Sequence, residues 1–278
     1  MHLYIYIIIL GFDLSLPTVI SNRLIKLTGN ITKAFAYIFH FFFPNKRFTI
    51  PQYSKPIITS KKSTLIPKII WQTNYTNWVS LPMYLNYLFN RLMSLNYEYR
   101  YVSTEERLSY IQSKMDKDII AAYEMLTDGA AQADLWRLLV LNNEGGIYLD
   151  IDAHLVWPLS KVIRSEDKEI FLLTKQHYTN YFIASQPNNP ILQEAVNIVV
   201  GNIQNKNTHG GVYNLTGPNA LNTALEGKTF NHRYYRHTCV QGSFTNEYFQ
   251  YIDKPRGKWI HKEESELLKD DSQKDKNT

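Results

Sequence analysis

Ala133-Asp134-Leu135-Trp136-Arg137-Leu138-Leu139 runs on into Gly145-Gly146-Ile147-Tyr148-Leu149-Asp150-Ile151-Asp152, and the change of pattern between the two stretches decides the fold. The first has apolar residues at helical spacing and predicts a helix from about Ala130 to Asn142. Asn143-Glu144-Gly145-Gly146 is the kind of glycine-rich stop that a helix uses before a sharp turn. Ile147 to Ile151 then reads as a strand. An apolar strand ending in Asp-x-Asp turns two carboxylates to the same side, because side-chain direction alternates with period two. Both can face one cation. Hard ions such as Mg2+ or Mn2+ prefer oxygen ligands, and substrate phosphates commonly complete their shell. In open sheets ligands collect beyond the carboxyl ends of strands, where Asp150 and Asp152 stand.

Asp134 and Arg137, three apart on the helix, share a face, while Leu135, Leu138 and Leu139 can pack toward a sheet. An intrahelical ion pair is the ordinary explanation of the first motif, and a strand-end turn that of Asp-x-Asp. Together, in this order, the two are far more specific than either.

Outward from this core, Leu65 to Trp71 and Tyr97 to Val102 predict strands, with a helix opened by Leu81-Pro82 and reaching about Leu95. Ser103-Thr104-Glu105-Glu106 reads as a helix start, and helical spacing continues to Leu126 with a break near Lys114 to Asp116. Further strands are expected at Glu169–Thr174, Tyr181–Ser185 and Tyr234–Val240, with helices at Pro190–Ile203 and Pro218–Leu225. Strands alternating with helices predict an α/β domain with a mixed, mainly parallel sheet flanked by helices. That domain is expected over residues 65–261. Residues 44–64, with Pro44, Pro51 and Pro56, read as an extended linker. Residues 262–278 are charged, lack aromatics and are expected to be a disordered tail.

The 278 residues, 44% apolar, can bury a large core, which excludes wholesale disorder and a small disulfide-stapled fold. A single cysteine, Cys239, excludes an intrachain disulfide and a cysteine-built zinc site. The charge is uneven. From Leu14 to Tyr97 there are ten basic residues and no acidic one, leaving 20 basic against 25 acidic elsewhere. A basic front end interleaved with Phe, Tyr and Ile suits an anionic membrane surface rather than nucleic acid. The apolar runs Leu3–Leu10 and Ile31–Phe43 are both shorter than the roughly 20 residues that cross a bilayer as a helix. They are read as interfacial anchors within an N-terminal segment spanning residues 1–64. Association with the cytoplasmic face of a membrane is expected, with a Golgi-lumen signal anchor as the competing view. The sequons at Asn30, Asn74 and Asn214 are weak support for secretion.

The order of strand IPKIIWQT, helix with Asp134 and Arg137, and GGIYLDID resembles glycosyltransferase family 32, the sugar-binding region containing the DXD motif. Asp134 precedes Asp150 by sixteen residues, and the likeness is closest over residues 66–152. The family is related to fungal initiating mannosyltransferases and to clostridial toxin glucosyltransferase domains. The resemblance implies a GT-A fold and a retaining, metal-dependent transfer of sugar from a UDP- or GDP-sugar to a glycan or lipid-linked acceptor, as in surface polysaccharide or glycolipid synthesis. Carried over, Asp152 would bind Mn2+ or Mg2+ directly and Asp150 would touch ribose and metal. Asp134 with Arg137 would hold donor sugar and phosphates, and Trp71 would stack on the base. His237 would approach the metal, Ser243 the diphosphate and Asn180 the sugar, while Gly217 would shape the acceptor cleft. Trp71 stands where the family often has His, Ala133 replaces a frequent Ser and Phe244 a frequent Trp. A metal-dependent hydrolase would also use paired carboxylates, but glycoside hydrolases separate theirs by roughly 5 to 9.5 Å. A non-catalytic carbohydrate-binding or scaffolding protein is the other alternative.

Overall fold

The computed structural model describes residues 16–60, 62–255 and 257–269. In chain order the elements are helix α1 (Leu16–Phe42), strands β1 (Phe48–Thr49), β2 (Tyr53–Ser54), β3 (Ile69–Thr73) and β4 (Trp78–Val79), helix α2 (Leu81–Met93) and strand β5 (Glu98–Val102). Helices α3 (Thr104–Lys114), α4 (Lys117–Met125) and α5 (Gly129–Glu144) lead to β6 (Gly146–Leu149), β7 (Ala153–Leu155) and the short α6 (Leu159–Val162). The chain continues through β8 (Glu169–Leu173), β9 (Tyr178–Ser185), α7 (Pro190–Gln204), α8 (Gly211–Leu215) and α9 (Pro218–Leu225). It closes with β10 (His232–Tyr234), α10 (Tyr235–Thr238), β11 (Cys239–Gln241) and α11 (Glu247–Gln250).

Seven strands form one mixed sheet in the order β10-β8-β9-β6-β3-β5-β2. β10, β8, β6, β3 and β5 run in one direction, and β9 and β2 run against them. This is the expected α/β class, a mainly parallel sheet flanked by helices. Alternation along each strand sends Trp71, Tyr148, Phe171 and Ile183 to one face, where they pack with α5, α7 and α9. Ile70, Ile147, Leu149, Phe182 and Leu172 go to the other, against α2 and α6.

The turn from α5 to β6 explains the glycine pair. Gly145 has φ 69°, and a Cβ there would meet Pro67 and Pro187 at 2.8–2.9 Å. Gly146 has φ 108°, and its Cβ would lie 2.7 Å from the Ile69 carbonyl oxygen. Only glycine fits both the backbone and the space. Asp128 caps α5 by accepting from the backbone of Ala130 and Ala131, and Ser103 with Glu106 forms the capping box of α3.

Four expectations change. Residues 44–64 are not a bare linker, because β2 pairs antiparallel with β5 and β1 with β4. The run Ile31–Phe43 falls within the last turns of one long helix, α1, whose Thr18, Asn22, Ile25, Gly29, Ala36 and His40 are buried against the domain. A Cβ on Gly29 would sit 2.5 Å from the Ser243 carbonyl oxygen, so helix and loop touch backbone to backbone. Leu3–Leu10 lies outside the described residues. The charged end is ordered as far as the description reaches, to residue 269. Leu267 is buried, Leu268 bridges Leu126, and Lys269 N–H donates to the Met125 carbonyl. Two leucines in a charged stretch are enough to dock it. The strand expected over Tyr234–Val240 is interrupted by the helical turn α10, which carries His237. Among the described residues no helix is long and apolar enough to cross a membrane.

Candidate functional site

A cavity of about 630 Å3 opens at the carboxyl edge of the sheet. Its walls come from the ends of β3 (Thr73, Asn74, Tyr75) and β6 (Asp150 to Asp152), the first half of α5 (Ala133, Asp134, Arg137), β9 (Thr179 to Tyr181) and the loop at Gly217. Residues far apart in sequence meet here because the parallel strands β3 and β6 end at this edge, the antiparallel β9 begins at it, and α5 brings its first half to it.

Arg137 is the hub. One guanidinium nitrogen lies 2.8 Å from Asp134 Oδ1 and 3.2 Å from Asp150 Oδ1, and the other donates to the Asn180 carbonyl at 2.8 Å. Its plane rests on the Tyr148 ring with 4.4 Å to the centroid. The Tyr148 hydroxyl donates to Asp150 Oδ1 at 2.8 Å. Asp134 also accepts from Asn180 Nδ2 and from Thr216 Oγ1, each at 3.1 Å. The Asp134–Arg137 pair is therefore more than an intrahelical ion pair, since it is shared with the residue that opens Asp-x-Asp.

Asp150 and Asp152 converge for a different reason than strand alternation. β6 ends at Leu149, and the Ala153 N–H closes a turn onto the Asp150 carbonyl at 3.0 Å. Both carboxylates then reach one point, Nε2 of Gln241, at 3.0 and 3.1 Å. Burial, and next the Asp150 charge, push the Asp152 carboxyl upward, while hydrogen bonds from Gln250 and Gln241 oppose the shift. Burial also raises Asp134, against Arg137 and with Asp150. For Arg137 burial disfavours the charge, but Asp150, Tyr148, Asp134 and Asp152 outweigh it and drive its pKa up. Three carboxylates facing one arginine form a poorly solvated site short of positive charge.

That donor set fits a divalent cation. Two carboxylates already share one partner at hydrogen-bond distance, and an open cavity beside them has room for further oxygen ligands. No group of three or more His, Cys, Asp or Glu side chains that could hold a metal occurs among the described residues, so His237 does not join Asp150 and Asp152.

Of the residues singled out from sequence, Asp134, Arg137, Asp150, Asp152, Asn180 and Gly217 line the cavity. Trp71, Ser243 and His237 do not. Trp71 is buried on the sheet face toward Trp136, its ring tilted edge-on to it, and its indole N–H donates to the Gly145 carbonyl at 2.9 Å. It serves the α5–β6 turn, and the cavity mouth is reached only at Thr73 to Tyr75. Ser243 is buried beneath α1, and His237 sits on α10 with its ring edge-on to Tyr234. Tyr148, Gln241 and Thr216 were missed. Tyr148 shares the parity of Asp150 on the strand Ile147–Ile151 expected from sequence, a signal that period two offers. Gln241 and Thr216 carry no local signal.

The family model described as glycosyltransferase sugar-binding region containing DXD motif matches residues 82–170, a span that includes Asp134, Arg137, Asp150 and Asp152. A protein of Acanthamoeba polyphaga mimivirus described as an uncharacterized glycosyltransferase is 23% identical over 195 residues, covering 68% of this chain and 76% of its own. A solved structure described as PaToxG glycosyltransferase is 21% identical, with a TM-score of 0.45, over 58% of this chain and 69% of its own. The matched region and the curated relative support a transferase enzyme that is similar to the glycosyltransferases containing the DXD sugar-binding region.

Proposed function

We propose that the protein is a divalent-metal-dependent, retaining transferase that moves a monosaccharide from a nucleoside diphosphate to a hydroxyl of a glycan or lipid-linked acceptor. One observation carries the reading: Arg137 joins Asp134 to Asp150 while Asp150 and Asp152 converge on a single point of the same cavity. Asp150 and Asp152 would hold Mn2+ or Mg2+, which when bound neutralises charge on the departing diphosphate. Arg137 adds a fixed positive charge beside it, pre-oriented by four contacts, so that no reorganisation is needed as charge develops. Asn180 and Asp134, already linked, present polar atoms to the sugar.

The nucleoside would extend along the cavity toward Thr73, Asn74, Tyr75, Thr104 and Arg107. Arg107 is 2% exposed, and its hydrogen-bond partners are the hydroxyls of Thr73, Thr104 and Tyr123. A second cavity, of about 500 Å3, shares Tyr181 and Gln241 with the first and is lined by Lys175, His177 and Tyr235. It offers the acceptor an approach. The carboxylates lining the main cavity are Asp134, Asp150 and Asp152, all engaged as described. Among the described residues none is left as a nucleophile for a double displacement, so a retaining transfer would have the acceptor hydroxyl attack on the face from which the diphosphate leaves.

The test is a screen of UDP- and GDP-sugars with the full chain, reading free nucleoside diphosphate with and without Mn2+. Asp152→Asn should abolish release while leaving the thermal midpoint intact. Release indifferent to both chelator and substitution sinks the reading. Binding of glycans without nucleotide-sugar affinity would favour a carbohydrate-binding role instead.

A further inference from the structure

Helix α1 is put on the domain the wrong way round. Thr18, Asn22, Gly29 and His40 face inward beside Ile25 and Ala36, and most of its large apolar residues face out. Ile20, Leu24, Leu27, Ile31, Ile38 and Phe42 form a row along the outer side, each between 49% and 68% exposed. At 100° per residue the row lies roughly opposite the buried one and runs the length of a helix about 40 Å long. An uncovered apolar strip of that length marks a surface with a partner.

The attachment of the inner side limits what the partner can be. Ser21 Oγ donates to the Val156 carbonyl, Asn22 Nδ2 to the Arg236 carbonyl, and His40 Nε2 accepts from the Leu81 N–H. With these bonds and the Gly29 contact in place, α1 stays parallel to the domain surface and presents its side rather than its end. Charge then chooses among partners. Arg23 borders the strip, Lys26 lies half-buried behind it toward the domain, and no acidic residue occurs from Leu14 to Tyr97. A second copy of the strip would bring like charges together at its rim, whereas a layer of anionic headgroups over hydrocarbon satisfies rim and row at once.

We propose that α1 is an in-plane docking helix that seats the domain on an anionic lipid bilayer, with its apolar row sunk to the acyl boundary and Arg23 among the headgroups. The proposal does not depend on the transferase reading, since it concerns adsorption alone. Docking would also set the cavity beside the membrane. Lys33 Nζ donates to the Gly242 carbonyl, and the Gly242 N–H donates to the Asp152 carbonyl, so α1 backs the segment that walls the site.

The test is flotation of the full chain with vesicles of phosphatidylcholine alone or with phosphatidylserine, beside the double variants Leu24→Glu/Ile31→Glu and Arg23→Glu/Lys26→Glu. All four positions are at the surface or half-buried, and the thermal midpoint checks each fold. The wild type should float with phosphatidylserine vesicles, and each variant should bind at least about tenfold more weakly. Three results would overturn the proposal: no flotation, variants that float equally well, or a vesicle-free dimer of the wild type that Leu24→Glu/Ile31→Glu splits. The last would make a second copy the occupant. Residues 1–15 would be the occupant if removing them were needed before vesicles bound.

Discussion

Nε2 of Gln241 stands between the carboxylates of Asp150 and Asp152, at 3.0 and 3.1 Å. An amide dipole thus occupies the point where a cation would be attracted, supplied by strand β11, which pairs with β7 immediately after Asp-x-Asp. Gln241→Lys should place an ammonium at that point and satisfy both carboxylates without metal. The fold should be retained while Mn2+ affinity, followed by electron paramagnetic resonance, falls about a hundredfold or more. Unchanged Mn2+ affinity would show that the cation does not sit between these two groups.

Arg137 cannot be replaced by another cation. Its fork holds Asp134, Asp150 and the Asn180 carbonyl together, and a single ammonium cannot reach all three. Arg137→Lys should keep the fold and lose roughly a hundredfold in kcat. Arg137→Ala should also cost about 3 to 5 kcal/mol of stability in chemical denaturation, because it leaves buried carboxylates without their counter-charge.

If the nucleoside extends toward Arg107, Arg107→Met should raise KM for the donor about tenfold and leave kcat within about twofold. A lower thermal midpoint with unchanged KM would assign Arg107 to holding Thr73, Thr104 and Tyr123 together and nothing more.

His154 lies on β7 against the rings of Phe89 and Phe244, fully buried, with neither ring nitrogen hydrogen-bonded among the described residues. Burial, and secondarily Lys26, lowers its pKa to about 4. The folded protein thus keeps the ring neutral where the unfolded chain, with a pKa near 6.5, takes a proton. Stability is complete above the unfolded value and falls as pH drops from about 6.5 toward 4. Between pH 7.5 and 5 the wild type should lose about 2 kcal/mol more than His154→Leu in urea unfolding. Parallel losses in the two proteins would remove His154 from the account.

Legibility in the sequence followed the range of the interaction. The helix Pro218–Leu225 has the bounds its pattern predicts, and the break between α3 and α4 falls at Met115–Asp116 as expected, because caps and periodicity are local. Asp134, Arg137, Asp150 and Asp152 meet because a single helix–turn–strand unit carries all four. Gln241 was out of reach, since a pairing between β11 and β7 brings it to Asp152 from 89 residues away. Trp71 was misplaced along its strand: the cavity begins at Thr73, and two residues earlier the ring packs on Trp136 with its N–H taken by the Gly145 carbonyl. Helix α1 was read only through its apolar run Ile31–Phe43, and its first half went unread, because a helix that buries a largely polar side inverts the usual cue.

The glycine at position 29 has a mechanical consequence. Where two segments meet through side chains, rotamer changes absorb small displacements; here main chain abuts main chain, with a Cβ-sized gap missing between Gly29 and Ser243. Helix α1 is therefore in direct main-chain contact with the loop whose Gly242 N–H donates to the Asp152 carbonyl. A displacement of that helix would be handed by main chain to the loop beside the carboxylates proposed to hold the cation.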